Sequence, residues 1–157
     1  MNLNVLSRKV GKALKARGAT LVTAESCTGG WVAQAVTSVA GSSDWFERGY
    51  VTYSNAAKRE ALGVRKTTLA RHGAVSEQTA REMARGALRF GRGTIGLSIT
   101  GIAGPGGGAP GKPVGTVCFA FAYGRKIRSE TKRFKGNRNS VRRQSVAQAL
   151  RGVLKCL

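Results

Sequence analysis

Apolar residues recur along this chain at two spacings, and the spacing switches repeatedly between them. Leu3, Val5, Leu6, Val10 and Leu14 fall at helical intervals and predict a helix over 3–17, stopped by Gly18. Residues 20–24 form a short continuous apolar run, the signature of a buried strand. A second helix is predicted over 26–38, with Trp31, Ala35 and Val39 on one face. Residues 49–53 predict a second strand, followed by a short helix over 56–62 that Gly63 closes. Ser76 is the expected N-cap of a helix running through Leu88. Glu77 and Glu82 lie in its early turns, where the helix dipole favours acids. Met83, Ala84, Ala87 and Leu88 are its expected core face.

The second half repeats the alternation. Residues 94–100 predict a third strand and 115–123 a fourth. Between them, 101–112 hold six glycines and two prolines, a loop that Pro113 continues. Residues 126–134 mix Ile127 with charges and read as a more exposed strand. With only Gly124-Arg125 between them, the last two strands are expected to form an antiparallel hairpin. A final helix is predicted over 137–154, with Val141, Val146, Leu150, Val153 and Leu154 inward. Alternating helix and strand with one hairpin means an α/β layered domain with a mixed sheet.

Length and composition narrow the class. A chain of 157 residues fits one domain, 1–157, and hides about 70% of its unfolded surface. No run approaches the ~20 apolar residues of a membrane span. The first residues read as an ordinary helix rather than a signal peptide, so the expected compartment is the cytoplasm. Cys27, Cys118 and Cys156 are scattered and odd in number, with no Cys-x-x-Cys pair, and His72 is the single histidine. Neither a disulfide framework nor a metal site is expected. Charge is the unusual feature: 27 Lys and Arg against 7 Asp and Glu give +20, and half of it lies between Arg125 and Lys155. Such a field attracts nucleic acid, acidic membrane or a phosphorylated small molecule. A solvated basic face is the plainer reading.

Two segments stand directly after predicted strands, where layered α/β domains bind ligands. One is Glu25-Ser26-Cys27-Thr28-Gly29-Gly30; the other opens with Thr100-Gly101-Ile102-Ala103-Gly104. A helix start there offers free N–H groups to an anion or an oxyanion, so Ser26 is a candidate nucleophile. Equally, Ser26 or Thr28 reads as a plain helix cap. Gly106-x-Gly108-x-x-Gly111 matches the dinucleotide fingerprint in letters only, because prolines flank it and a strand follows. Ser129-x-x-Lys132 sits in a predicted strand, where the two side chains point to opposite faces. The base for Ser26 is either His72 or a neutral lysine. Lys58 follows the second strand and can reach the rim that carries Ser26. Cys27 reads either as a nucleophile or as a small packing residue.

Several long stretches together resemble the CinA C-terminal-domain family, whose active members are nicotinamide-mononucleotide amidohydrolases. They are Thr23-Ala24-Glu25-Ser26-Cys27-Thr28-Gly29-Gly30, Tyr53-Ser54-Asn55 leading to Lys58, Gly73-Ala74-Val75-Ser76, Thr100-Gly101-Ile102-Ala103-Gly104-Pro105, and Lys112-Pro113-Val114-Gly115-Thr116-Val117. The resemblance covers residues 5–155 and is closest to the stand-alone form, without the second domain of some members. It implies a three-layer α/β/α sandwich with a mixed, mostly parallel sheet of about five strands. It implies hydrolysis of a carboxamide to acid and ammonia without metal or cofactor. The family's serine falls on Ser26, its lysine on Lys58 and its tyrosine on Tyr53. Its late Gly-x-Arg signature falls on Gly136-Asn137-Arg138, where an acid often precedes the arginine and Asn137 stands here.

From the residues and the resemblance together, Ser26 attacks the carboxamide carbon. Lys58, held neutral by burial and neighbouring positive charge, takes the serine proton, and Tyr53 orients Lys58 or relays the proton. Amides from Cys27 to Gly30 hold the oxyanion. Thr100 to Gly106 shape the pocket, while Arg138 and Arg142 meet a phosphate. The expected substrate-binding set is Glu25, Cys27, Thr28, Gly29, Gly30, Asn55, Thr100, Gly101, Ala103, Gly104, Arg138 and Arg142. Expected partners are a small anionic mononucleotide and further copies of the chain, with no membrane. Trp45 and Phe46 read either as a dimer patch or as core. The competing class is a basic, catalytically silent module that binds nucleic acid, a reading less favoured than the amidase.

Overall fold

The computed structural model describes residues 2–157. Helix α1 (Leu3–Ala16) starts on Asn2, whose side chain accepts the Asn4 N–H, and buries Leu6, Val10 and Leu14. Strand β1 (Leu21–Glu25) is buried at every position, as its apolar run requires. Helix α2 (Trp31–Thr37) is short, strand β2 is Phe46–Val51, and helices α3 (Asn55–Leu62) and α4 (Lys66–His72) follow in succession. Helix α5 (Glu77–Gly91) is capped by Ser76, which accepts the Thr79 N–H. Strands β3 (Ile95–Gly101), β4 (Thr116–Tyr123) and β5 (Lys126–Arg133) lead to the long helix α6 (Arg138–Cys156).

The five strands form one sheet in the order β2-β1-β3-β4-β5. β1 runs parallel to β2 and β3; β4 is antiparallel to β3 and to β5. Four strands therefore point one way and β4 alone runs against them. The expected hairpin is present, with Tyr123 opposite Lys126 across Gly124-Arg125.

Side-chain size decides how each face is covered. On one face Leu21, Ile95, Leu97, Ile99, Phe119 and Phe121 build the main core with α1, α2 and α6. On the other, β3 and β4 present Gly96, Ser98, Ala120 and Ala122, all small, and α5 packs close against them. A Cβ at Gly96 would stand 2.5 Å from the Ala84 carbonyl oxygen, so α5 approaches the backbone itself. Val22, Ala24, Leu62, Leu69 and Met83 extend this layer beneath α3 and α4. Helices thus cover both faces, giving three layers. No helix among the described residues is long and apolar enough to cross a membrane.

Three expectations need correction and one alternative is decided. The helix predicted from 26 begins only at Trp31, because Gly29 and Gly30 adopt positive φ and turn the chain first. The second strand lies at Phe46–Val51, three residues earlier than predicted at its start, and is an edge strand with mostly exposed side chains. Helix α4 has no counterpart in the predicted elements; it buries only Thr68 and Leu69. Trp45 is core, 3% exposed, with its indole against Gly11 of α1, and Phe46 is half-buried. Of the two readings of this pair, core packing holds.

Candidate active site

β1 and β2 are parallel neighbours, so the segments after them leave the same edge of the sheet. Ser26 follows β1 and its N–H donates to the Ile99 carbonyl, 2.9 Å away. Lys58 sits one turn inside α3, whose start is fixed by Ser54 accepting the Ala57 N–H. The two side chains meet: Lys58 Nζ lies 3.0 Å from Ser26 Oγ. Nζ also donates to the carbonyls of Thr52 and Tyr53, both at 3.0 Å. Lys58 is 1% exposed, and all three of these partners are uncharged. Burial lowers its pKa from the ordinary 10.5. The expected help from neighbouring positive charge is not a cause of this shift; desolvation is, opposed by the Cys27 thiol when ionised.

The geometry sets the direction of the amine. A neutral lysine has two N–H bonds and one lone pair. With both N–H bonds held by the two carbonyls, the lone pair faces the serine hydroxyl. This is the arrangement a general base needs.

Cys27 is buried beside them. Burial pushes its thiol up to about 12, so it stays protonated near neutrality and the packing reading holds. Tyr53 acts through its backbone: its carbonyl holds Lys58, while its phenol is 61% exposed and accepts from Arg138 at 3.2 Å. The expected phenolic relay is therefore not formed. Arg138 also donates to the Gly104 carbonyl at 2.7 Å, joining the start of α6 to the glycine loop.

A cavity of about 270 Å³ opens over the pair, lined by Ser26, Cys27, Tyr53, Lys58 and Arg138 on one side. Thr100, Gly101, Ala103 and Gly104 line the other side, as expected. Ile102 and Gly106 line it too, within the expected 100–106 stretch, and so do Ala74, Val75 and Gly107, which the sequence did not mark as site residues. The signal is present in the stretch Gly73-Ala74-Val75-Ser76, but the short helix that delivers it leaves no pattern to read. Thr100 Oγ1 donates to the Ala74 carbonyl and ties the two walls together.

Other expected site residues do different work. Glu25 is 1% exposed and accepts from Thr28 Oγ1 and from the N–H groups of Val32 and Ala33. Its carboxylate caps α2, so neither Ser26 nor Thr28 is the cap and Glu25 does not face the cavity. Arg142 donates to the carbonyls of Cys27 and Thr28 and lies over the Trp31 ring, outside the cavity. Thr28, Gly29, Gly30 and Asn55 are also outside its lining. The Gly29 N–H is spent on the Ser26 carbonyl at 3.0 Å, which removes it from the expected oxyanion donors. His72 lies in a separate groove, so it is not the base for Ser26.

Comparison with known proteins places the chain in a family. The model of the CinA C-terminal domain matches residues 3–157. The chain is 62% identical over 147 residues to the nicotinamide-nucleotide amidohydrolase PncC of Escherichia coli K12, covering 92% of this chain and 88% of that one. It is 47% identical over 152 residues to PncC of Pseudomonas putida, covering 97% and 95%. A CinA superfamily protein of Klebsiella pneumoniae superposes with a TM-score of 0.96 at 42% identity, over 99% of this chain and 97% of that one. The chain belongs to the CinA C-terminal domain family.

Proposed function

We propose that this protein hydrolyses the carboxamide of nicotinamide mononucleotide, with Ser26 as nucleophile and Lys58 as base. The observation that carries the reading is the buried, uncharged-partnered Lys58 amine 3.0 Å from the Ser26 hydroxyl. Relatives named as nicotinamide-nucleotide amidohydrolases supply the substrate class.

Ser26 Oγ adds to the carboxamide carbon while its proton passes to Lys58 Nζ. The carbonyl oxygen gains the negative charge. The N–H of Cys27, on the cavity wall, remains for it, a donor worth ~3 kcal/mol in such sites. As the tetrahedral centre collapses, Lys58 returns the proton to the departing nitrogen and ammonia leaves. A serine ester remains. Water then attacks the ester, giving one proton to Lys58, and Lys58 gives it back to Ser26 Oγ. The products are the carboxylic acid and the free serine.

Thr100 to Gly104 hold the pyridine and ribose, and Arg138 faces the phosphate at the cavity mouth. Arg142 supports the turn that carries Ser26 and does not touch substrate. Tyr53 is a positioning residue through its carbonyl.

The test is ammonia release from nicotinamide mononucleotide, with mass spectrometry of the protein in a quenched reaction. Ser26→Ala is expected to lose about a thousand-fold or more in kcat while keeping its fold. Lys58→Arg, which cannot shed its proton, is expected to fail comparably. Near-normal turnover by Ser26→Ala refutes the nucleophile; near-normal turnover by Lys58→Arg refutes the base.

A further inference from the structure

Beyond the Ser26 cavity, a second and larger groove runs beside the exposed edge strand β5. It has a volume of about 770 Å³ and includes Arg71, Lys112 and Arg133 in its walls. Val75 separates it from the catalytic cavity, lining both. The cationic surface continues from this groove along the α5 side of β5. Arg81 donates to Ser129 Oγ, mid-strand, at 2.7 Å. One turn on, Arg85 donates to the carbonyls of Gly124 and Arg125 at the hairpin end. Arg133 at the opposite end donates to the Gly111 carbonyl. The stripe therefore follows β5 from Arg133 to Lys126, about 24 Å at strand spacing.

Two features separate this stripe from scattered surface charge. Its arginines are held mainly by carbonyl and hydroxyl oxygens, which fix their positions without cancelling their charge. Glu77, on the α5 side, accepts from Ser129 and Thr131 and lies 3.8 Å from Arg81, so it offsets that one charge, whereas Arg85 and Arg133 donate to carbonyl oxygens. The second feature is Tyr123. It is an exposed aromatic at the hairpin end; its register with Ile95 and Lys126 puts its ring on the α6 face, and the groove it shares with Leu88 of α5, Arg125 and Lys126 joins it to the end of the stripe around the sheet edge.

We infer that this stripe binds single-stranded nucleic acid, as a function separate from amide hydrolysis. Fixed guanidinium groups along a line match a phosphodiester backbone, and an exposed tyrosine offers an unpaired base a ring to stack on. A length of about 24 Å suits roughly four nucleotides, the short end of single-strand sites. A membrane surface would ask for a broad apolar face beside the charge, and a free nucleotide would fill only the groove at one end.

The test is fluorescence anisotropy of a labelled mixed-sequence 12-mer RNA titrated with the full chain across a salt series. Three proteins of matched design separate the stripe from bulk charge. Arg71→Gln/Arg81→Gln/Arg133→Gln removes three stripe charges. Lys9→Gln/Lys12→Gln/Arg17→Gln removes three charges at and just after α1, in the opposite helical layer. Tyr123→Leu keeps the charge and removes the ring, and stands in if the first triple variant folds poorly.

The stripe triple is expected to lose about ten-fold in affinity and to flatten the log–log salt slope by about 2. The α1 triple is expected to lose less than about three-fold, and Tyr123→Leu about five-fold or more. The kcat for ammonia release at saturating substrate is expected to be unchanged in all three. Equal loss in the two triples overturns the inference, as does tighter binding to a duplex of the same length, to vesicles of anionic lipid, or to nucleoside triphosphate alone. Because the readout is binding, failure of the catalytic reading leaves it untouched.

Discussion

Replacing Lys58 by Met tests burial of the amine directly, because the two side chains match in length and differ in charge. In the folded protein the lysine pKa lies below its ordinary 10.5, and desolvation is the main cause. Below the folded pKa, lysine is protonated in both the folded and unfolded chains, and the native state carries the full cost of a buried charge. Above 10.5 both forms are neutral and that cost is gone. Between the two values the unfolded chain binds the extra proton, so stability rises with pH. One proton gives a slope approaching about 1.4 kcal/mol per pH unit. The Lys58→Met variant carries no such term. It does strand Ser26 Oγ and the two carbonyls, at about 1–3 kcal/mol each, but that offset does not vary with pH. Urea unfolding of both proteins from about pH 6 to 10.5 gives the difference. Wild type is expected to gain on Lys58→Met as pH climbs through the folded pKa. The same group governs the reaction: kcat/KM is expected to rise about ten-fold per pH unit below that pKa and level off above it. A stability difference that stays flat with pH, or that bends at a different pH from kcat/KM, refutes the assignment of Lys58 as the neutral base.

Gly86→Ala places a Cβ 2.0 Å from the Leu62 carbonyl oxygen, so α3 must shift away from α5. A loss of about 1–3 kcal/mol is expected by chemical denaturation, with a fall in kcat because α3 carries Lys58. Glu25→Ala removes the acceptor of three hydrogen bonds at the start of α2 and is expected to cost about 3 kcal/mol or more, with Glu25→Gln retaining part of it. Arg138→Ala is expected to raise KM for the mononucleotide about ten-fold or more with little change in Tm, whereas Arg142→Ala lowers kcat and Tm together because it releases the turn after Ser26. Raising salt from about 50 to 500 mM is expected to lower kcat/KM for the anionic substrate while leaving the pH midpoint of the rate unchanged.

The Ser26–Lys58 encounter was legible because it rests on topology. Two buried-looking runs, each followed by chemistry, become parallel neighbours in a layered sheet, and their ends share one crevice. What the residues alone hide is which side chain turns into that crevice. Glu25 and Ser26 are adjacent, yet one caps a helix and the other lines the cavity, because Gly29 and Gly30 fold the chain back before α2 starts. Arg138 and Arg142 are one helical turn apart. The first residue of α6 reaches the mouth, and the second rests on Trp31. Spacing cannot distinguish them. Helix α4 is invisible in the sequence because a seven-residue helix with two buried side chains has almost no periodicity to read. β2 is hard to place because, at a sheet edge, its side chains are mostly solvated and leave no alternation.

A net charge of +20 invites the idea that the protein's overall field keeps Lys58 neutral. The surroundings of the amine argue otherwise. Exposed cations act through solvent, and salt screens them beyond about 8 Å at physiological strength. Desolvation acts at the atom itself and salt does not screen it. Lys58 is enclosed, and its partners are two carbonyls and a hydroxyl, so the preference for the neutral form is local. In the proposed reaction the surface charge acts at a distance instead, drawing the anionic substrate toward the mouth where Arg138 stands. Under the proposed mechanism, positive charge is used in two ways, excluded from the base by burial and displayed outside for capture. The two respond differently to salt, which makes them separable.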